Sequence, residues 1–204
     1  MVTNGSRHHK CLDCEKLVYY GSLRCNKCAS KISKFLRFKK SFNPIIINSD
    51  TEQVLLGSVL GDGSLCLNTK YSNSNAYFSE AHSLKQKDYL LWKDEYLKCF
   101  NTIIEYGSKT LKSNQKVYSQ VRLRSKSNAT LTKYYKDFYF KHIKLVTQKI
   151  LNKLKPLGLA VWYMDDGSRC ESSMSLATNG FNYQNQLLIM SYFQKTFGIE
   201  STLV

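Results

Sequence analysis

The sequence predicts an α+β fold in which helices alternate with antiparallel β-hairpins, preceded by a small cysteine-rich module. Three observations predict it. Two short apolar helix patterns, at 55–63 and 159–167, each end in Asp-Gly. Between them, two pairs of strand patterns flank an amphipathic helix. Four of the 7 cysteines stand in two CxxC pairs before residue 30.

The composition predicts a phosphate-rich partner. Lys+Arg number 30 against 15 Asp+Glu in 204 residues, a net charge of +15. Such an excess is typical of proteins that bind nucleic acid, although it could also serve solubility or ribosomal association. Charge alone does not distinguish DNA from RNA.

The apolar pattern argues against a membrane protein, since no apolar run approaches the roughly 20 residues of a membrane span. The first ten residues are polar and lack the apolar segment of a secretory signal. We therefore expect an intracellular protein, in an organelle matrix (mitochondrion or chloroplast) or in a bacterial or phage-infected cytoplasm, without disulfides. No membrane partner is expected.

The first 30 residues predict a zinc-ribbon-like module. Its two CxxC pairs, separated by ten residues, are Cys11, Cys14, Cys25 and Cys28. Four thiolates at tetrahedral corners suit Zn²⁺ at about 2.3 Å, and a module this short needs a metal to fold. Four sulfur ligands leave no open position, so the Zn²⁺ would be structural. The alternatives are unrelated buried cysteines or a redox CxxC, but a redox motif needs only one pair.

A basic linker is predicted at 31–49. Five lysines and arginines between Lys31 and Lys40 alternate with apolar residues. This stretch could be a helix or arm that lies along a phosphate backbone, or a solvated linker. Asn43-Pro44 then interrupts the pattern.

The first apolar motif predicts a helix from Thr51 to Leu60. Its Gly57 and Gly61 lie four residues apart and therefore share one face. Each glycine costs a helix up to about 1 kcal/mol relative to alanine, so the pair suggests close approach of another backbone. Asp62-Gly63 ends the helix and leaves a carboxylate at its C-terminal tip.

The elements that follow have the order hairpin, helix, hairpin, helix. The predicted strands are 64–70 and 75–82, then 103–111 and 116–126, and the predicted helical regions are 84–100 and 131–154. The second motif at 159–167 is followed by a predicted strand at 173–179, a helix at 183–197 and the start of a strand at 199–204.

The last strand of the second hairpin alternates cleanly between two faces. Val117, Ser119, Val121 and Leu123 share one face, and the other carries Tyr118, Gln120, Arg122 and Arg124. The long polar side chains of the second face suit contacts with base edges and phosphates, with Asn68 and Lys70 as further candidates from the first hairpin. The alternative is an ordinary solvated face of an antiparallel sheet.

Both Asp-Gly motifs resemble the signature helix of LAGLIDADG homing endonucleases, and the second resembles the form found in the two-motif branch encoded in introns. The element order resembles one αββαββα repeat of that family, whose four strands form a curved antiparallel saddle in the DNA major groove. The aspartates are 166 − 62 = 104 residues apart, about one repeat. The resemblance implies a first repeat at 50–158 and a second at 159–204.

The resemblance implies a site-specific endonuclease that hydrolyses double-stranded DNA with Mg²⁺. Asp62 and Asp166 match the family's metal-binding acidic position, whereas Asp165 would be structural. Lys126, at the end of the last strand, stands about where the family often has a basic residue that polarises the attacking water. It could equally be one of many surface lysines.

The second repeat departs from the family pattern because only 204 − 167 = 37 residues follow its glycine. A full repeat needs on the order of 100 residues. We therefore expect a truncated second repeat, which a second chain or a dimer partner could complete. The alternatives to an endonuclease are an RNA-binding maturase that assists group I intron splicing and an inactive remnant.

Overall fold

The computed structural model describes residues 8–19, 21–42, 44–67, 75–110 and 116–203, without the side chains of 35–42. The candidates Asn68 and Lys70, and the predicted turn at 71–74, lie outside the described residues. The chain forms two compact units, Met1–Asn43 and Pro44–Val204. Each unit is described by itself.

The first unit consists of a hairpin and one helix. Strands β1 (His8–Lys10) and β2 (Leu17–Tyr19) pair antiparallel, and α1 spans Asn26–Phe42. The predicted basic stretch is therefore helical, and the boundary proposed at residue 30 falls inside α1. The buried core of this unit is Cys11, Val18, Cys25 and Cys28. So small a core requires an additional stabilising element such as a metal.

The second unit begins with a helix and a four-stranded antiparallel sheet. Helix α2 spans Ser49–Leu60 and α3 spans Lys87–Leu97. The strands are β3 (Ser64–Leu67), β4 (Ala76–Ser83), β5 (Ile103–Thr110) and β6 (Val117–Arg124), in the spatial order β3-β4-β6-β5. This arrangement confirms the predicted α+β class and the two hairpins.

Helix α2 starts where its sequence allows and is buried on all sides. The side chain of Asn48 accepts a hydrogen bond from the Thr51 amide at 2.8 Å, which caps the helix. Asp50 and Glu52 in the first turn are favourable near the positive end of the helix dipole. Every residue from Gln53 to Leu60 is buried, so the helix runs through the centre of the unit.

The sheet turns one face to the core and the other outward, as the alternation of β6 predicted. Val121 and Leu123 are fully buried. In register, Val121 lies opposite His82 of β4, and Arg122 lies opposite Ala81. The side chains of Arg122 and Arg124 therefore belong to the opposite face, which is not covered by the core.

The predicted helix at 131–154 is wrong in its middle. Helices α4 (Ala129–Phe138) and α5 (Gln148–Leu151) are separated by a short hairpin of β7 (Tyr139–Phe140) and β8 (Ile143–Lys144). Lys141 and His142 adopt left-handed φ angles of 48° and 66° in the turn of this hairpin. The aromatic and β-branched residues around the turn suit strands better than a helix.

The second motif forms helix α6 (Pro156–Asp166), followed by β9 (Gly167–Arg169), β10 (Met174–Leu176) and α7 (Tyr183–Phe197). The predicted bounds of α7 are confirmed. The predicted strand at 173–179 is shorter than expected and pairs with β9, which the sequence did not indicate. The predicted strand at 199–204 is not formed by its described residues, 199–203.

Helices α2 and α6 pack closely at the two glycines of the first motif. A Cβ atom placed on Gly57 would lie 2.7 Å from the Cβ of Val161, and one on Gly61 would lie 2.7 Å from Oδ2 of Asp165. Both distances are shorter than van der Waals contact. The structure thus confirms that another helix approaches this glycine face.

None of the helices among the described residues has the length and apolar character of a membrane span.

Candidate active site

The two Asp-Gly motifs end side by side, because α2 and α6 pack along their length. Asp62 follows α2, with 45% of its side chain exposed, and Asp166 is the half-buried last residue of α6. The pKa of Asp166 is raised, first by burial and then by repulsion from the Asp62 carboxylate. The structure therefore places the two carboxylates at neighbouring helix ends, near enough for the charge of Asp62 to act on Asp166.

The glycine after Asp62 is required by the turn from α2 into β3. The amide of Gly63 donates to the Ser58 carbonyl at 2.7 Å, which folds the chain back against the helix. A Cβ on Gly63 would lie 2.7 Å from that same oxygen and 2.9 Å from the Phe78 ring. Only glycine fits here without displacing the backbone that carries Asp62.

Asp165 lies beside Asp62, with one of its carboxylate oxygens within 4.8 Å of an oxygen of Asp62, but it is held by buried side chains of the protein. The ammonium of Lys93 donates to its two carboxylate oxygens at 2.7 and 2.9 Å, and the Tyr89 hydroxyl donates to Oδ1 at 2.9 Å. The side chains of Asp165 and Lys93 are 0% exposed. Burial and the nearby Glu80 carboxylate raise the pKa of Asp165 to about 6.

The buried charges continue from Asp165 back to Asp62. Lys93 also donates to Oε1 of Glu80 at 2.5 Å, and the same oxygen lies 2.6 Å from Nε2 of His82. The other ring nitrogen of His82, Nδ1, is 3.7 Å from Oδ2 of Asp62. Burial is the largest single effect and favours the neutral form of His82, but the hydrogen bond to Glu80 and the charges of Glu80 and Asp165 together outweigh it and raise the pKa of the imidazole.

The sequence analysis missed both Lys93 and His82. One signal for Lys93 was available, because it stands at the helical phase of the buried Leu90 and Leu97 on α3. A lysine in an apolar stripe must find an anionic partner. His82 carried no comparable signal.

Lys144 is a further basic residue that the sequence analysis missed. From β8 its ammonium donates to the carbonyls of Gly61 and Gly63, both at 3.1 Å, on either side of Asp62. Burial lowers the pKa of Lys144, and the charges of Asp166 and Asp62 oppose this shift. The sequence could not single it out, because seven lysines stand between residues 133 and 155.

Lys126 follows the end of β6, and none of the contacts among the described residues joins it to Asp62 or Asp166. Its side chain is exposed, and its amide donates to the Phe100 carbonyl at 3.1 Å. The preceding residue, Ser125, bonds Phe78 on β4, four residues before His82.

The outer face of the sheet carries the predicted nucleic-acid contacts. Tyr118 and Arg124 are exposed, and Gln120 and Arg122 are partly exposed. The guanidinium of Arg124 lies 4.6 Å from the ring centre of Tyr77, a cation–π contact that orients it. At the far end of the β5–β6 hairpin the side chains on both faces are exposed, so this end projects beyond the core.

The four paired cysteines come together in the first unit. Their sulfur atoms lie within 4.8 Å of one another, and Cys14 Sγ is 3.6 Å from Cys25 Sγ. A tetrahedron with metal–sulfur bonds of about 2.3 Å has edges of about 3.8 Å, so this spacing suits a metal.

The backbone favours thiolates in this cluster. Hydrogen bonds from the amides of Cys25 and Asp13 lower the pKa of Cys11 to about 6. The neighbouring thiols of Cys14 and Cys25 raise the pKa of Cys28 to about 12. The pKa of one thiol is thus lowered and that of another is raised, as expected when neighbouring thiols share negative charge. A cation among the four sulfur atoms would neutralise this charge.

Comparison with known proteins identifies the fold. The sequence model of the LAGLIDADG DNA endonuclease family matches residues 52–204. A solved structure of the homing endonuclease I-WcaI, bound to its DNA recognition sequence, superimposes with a TM-score of 0.70 at 16% identity. The match covers 83% of this chain and 76% of that one.

Among curated proteins, the cytochrome b mRNA maturases bI2 of two yeasts are similar. The protein of Debaryomyces hansenii is 24% identical over 180 residues, 87% of this chain and 66% of its own length. That of Saccharomyces cerevisiae is 25% identical over 197 residues, 87% of this chain and 44% of its length. Protein RecA of Mycolicibacterium flavescens is 34% identical over 116 residues, 57% of this chain and 25% of its length. The chain thus spans less than two thirds of each.

Proposed function

The chain belongs to the LAGLIDADG DNA endonuclease family, and from this premise we propose that it hydrolyses double-stranded DNA at a specific site. The reaction would use divalent metal held by Asp62 and Asp166. The observation that supports the proposal is the packing of α2 against α6, because the two helices end side by side and the Asp62 charge acts on Asp166.

The residues at the helix ends fit a hard divalent cation. Carboxylate oxygens are the ligands that Mg²⁺ prefers, and one or two of them suffice beside water and phosphate. The half-exposed Asp62 is open to solvent and substrate, and its repulsion of Asp166 would be relieved by a cation between them. Bound Mg²⁺ would activate a water molecule and neutralise the charge that builds on the phosphate.

Lys144 and Lys126 are the two candidates for the basic residue that would polarise the attacking water. The ammonium of Lys144 donates to the Gly61 and Gly63 carbonyls, on both sides of Asp62, and so stabilises the end of α2. Its positive charge also lies near the negative charges of Asp62 and Asp166. It also offsets the unfavourable placement of carboxylates at helix C-termini. Lys126 remains the sequence-based candidate, but the contacts of Lys144 with the residues on both sides of Asp62 favour Lys144.

The outer face of the sheet would bind the DNA. Arg122 and Arg124 offer planar guanidinium groups that can contact guanine edges or phosphates, and Gln120 suits adenine. Tyr77 orients Arg124, so the side chain is partly ordered before DNA binds. Tyr118, Asn68 and Lys70 complete the proposed contact set.

The first unit would bind Zn²⁺ and add contacts to phosphates. Residues 1–43 carry ten basic and two acidic side chains. Lys27, Lys31 and Lys34 are exposed and share one face of α1 at i, i+4 and i+7. We retain a division into a zinc module at 1–30, a basic stretch at 31–49, a first repeat at 50–158 and a second at 159–204.

A second candidate function is binding of intron RNA as a maturase. The similarity to the two yeast proteins favours this function, because both are named as mRNA maturases. The same basic face would serve it, but RNA binding alone does not need Asp62 and Asp166 beside a phosphate backbone. Completion by a second chain, and an organelle or bacterial compartment, remain part of the proposal.

The test is whether the full-length protein, with Mg²⁺ present, cleaves DNA that spans the intron insertion site of its gene. We expect Asp62→Asn and Asp166→Asn each to reduce cleavage by at least about 100-fold, as removal of an electrostatic catalytic group does. Asp88→Asn, which changes an exposed carboxylate on α3, is the matched control and should cleave normally.

Other outcomes would change the assignment. Tight binding to the intron transcript without DNA cleavage would support the maturase. Failure both to cleave DNA and to bind the transcript would overturn both functions. Cleavage that persists in the two aspartate variants would remove these residues from the site.

A further inference from the structure

His82 combines deep burial with a ring nitrogen that faces the proposed metal-binding carboxylate. Its side chain is 2% exposed, on the core side of β4. Nε2 is held by Glu80 at 2.6 Å, and Nδ1 lies 3.7 Å from Oδ2 of Asp62. That distance is too long for a hydrogen bond, so Nδ1 does not bond Asp62 in this structure.

The pairing of His82 with Glu80 is the usual support of a metal-binding histidine. Metal-ligating histidines almost always donate their second N–H to a carboxylate or carbonyl, which fixes the tautomer and the ring orientation. With its hydrogen on Nε2 toward Glu80, the ring presents the Nδ1 lone pair toward Asp62. His82, Asp62 and Asp165 place potential ligand atoms within 4.8 Å of one another.

Asp165 is the member of this group that is already engaged. Both of its oxygens accept hydrogen bonds from Lys93, and Oδ1 also accepts one from Tyr89. A cation at Asp165 would have to compete with the buried ammonium of Lys93. The available ligand atoms are therefore an oxygen of Asp62 and Nδ1 of His82.

We propose that His82 is a nitrogen ligand of the divalent ion held by Asp62, and that it makes this site prefer Mn²⁺ to Mg²⁺. The proposal rests on the proposed function. Ligands about 2.1 Å from an octahedral ion lie about 3.0 Å apart, so Asp62 and His82 need to approach by only about 0.7 Å. The preference follows because Mg²⁺ is a hard ion that selects oxygen ligands, whereas Mn²⁺, although it also favours oxygen, is a transition-metal ion that accepts an imidazole nitrogen more readily.

The test is a titration of the full chain with Mn²⁺, monitored by electron paramagnetic resonance. The cysteine site is loaded with Zn²⁺ beforehand. Mg²⁺ affinity is measured by competition. We expect His82→Gln to weaken Mn²⁺ binding at least about 10-fold and Mg²⁺ binding less, and Glu80→Gln to weaken Mn²⁺ binding about 10-fold. The matched control is His142→Gln, since His142 is an exposed histidine bound to Tyr135. It should leave both affinities unchanged.

A structural alternative predicts the opposite sign. If His82 were a positive counter-ion for Asp62, its replacement by glutamine would leave Mn²⁺ binding unchanged or tighten it, and this result would overturn the proposal. Loss of Mn²⁺ binding in Asp62→Asn but not in His82→Gln would reject only the His82 ligand. Equal binding by Asp62→Asn and wild type would instead reject the metal site of the proposed function.

A second measurement keeps the proposal testable if His82→Gln does not fold. In the wild-type chain, Mn²⁺ at low occupancy should broaden the imidazole NMR resonances of His82 first. His142 should broaden far less. Equal broadening of both histidines, or none at His82, would overturn the ligand assignment.

Discussion

Lys93 donates to both carboxylate oxygens of Asp165, at 2.7 and 2.9 Å, and neither side chain is exposed. The pair joins α3 of the first repeat to α6 of the second motif. Because Asp166 directly follows Asp165, this bond also fixes where the neighbouring carboxylate stands. Lys93 is thus a positioning residue for the helix end that carries Asp166.

The first prediction removes the ammonium. Lys93→Met should reduce the free energy of unfolding by about 3–5 kcal/mol, because it leaves the carboxylates of Asp165 and Glu80 buried together without a cation. Urea denaturation measures the change. Lys98→Met, at an exposed position of the same helical segment, should cost less than about 0.5 kcal/mol. Equal stability of the two variants would contradict the prediction.

The second prediction concerns the crossing of α2 and α6. Gly57→Ala should destabilise the protein by about 1–3 kcal/mol, because its Cβ would overlap Val161 and the backbone at Gly158. Gly107→Ala is the matched control, since no atom lies within 4 Å of the position of its Cβ. Thermal unfolding of both variants measures the difference. A Gly57→Ala protein as stable as the control would disprove close packing.

The sheet and the packing of α2 against α6 could be predicted because both leave a periodic pattern in the sequence. The alternation at Val121 and Leu123 assigns a face to each side chain of β6, and the glycine spacing of Gly57 and Gly61 marks a close helix contact. The hairpin after α4 was not predictable in this way. Aromatics and lysines continue from α4 into residues 139–144 and mask the strand preference there, and the two left-handed residues of the turn are Lys141 and His142 rather than glycines that would mark it.

The site was predicted only in its outline. Asp62 and Asp166 were predicted because the motif repeats, and their role stays a prediction, but Glu80, Lys93 and His82 come from β4 and α3 and meet only in the folded protein. Lys144 was one of seven lysines between residues 133 and 155, and nothing in the sequence distinguished it from the others. Its role depends on reaching the carbonyls beside Asp62, and no periodicity encodes that contact.

The third prediction separates Lys144 from Lys126. We expect Lys144→Met to reduce DNA cleavage by about 10²-fold or more, because it removes the cation that supports the end of α2. Lys126→Met should change cleavage less than about threefold, as an exposed phosphate contact would. Single-turnover rates at saturating protein measure both. The reverse order of effects would restore Lys126 as the basic residue of the site.

The fourth prediction concerns the first unit. Purified, reduced protein should contain about one equivalent of Zn²⁺, and Cys25→Ser should lose it and unfold residues 8–42, since the buried core there consists of three of the paired cysteines and Val18. Metal analysis and hydrogen exchange measure both effects. Cys170→Ser, at an exposed cysteine of the second unit, should retain the metal. Absence of metal from wild type would remove the zinc assignment.

The fifth prediction concerns the proton on Asp166. Its pKa lies above the ordinary value of 3.8, first because of burial and then because of repulsion from Asp62, while Lys144 opposes the rise. The folded state therefore holds this proton more tightly than the unfolded state. In metal-free protein, the contribution of Asp166 to stability should fall as pH rises from 3.8 to the folded pKa.

Two variants should move this pKa in opposite directions. Asp62→Asn removes the repulsion, so the pH midpoint of the Asp166 carboxyl, followed by ¹³C NMR, should fall. Lys144→Met removes the opposing cation, so the midpoint should rise. Asp88, which is exposed and distant from the helix ends in sequence, provides the reference carboxyl in the same spectra. If the midpoint of Asp166 were the same in wild type and Asp62→Asn, the two carboxylates would be too far apart to share a metal.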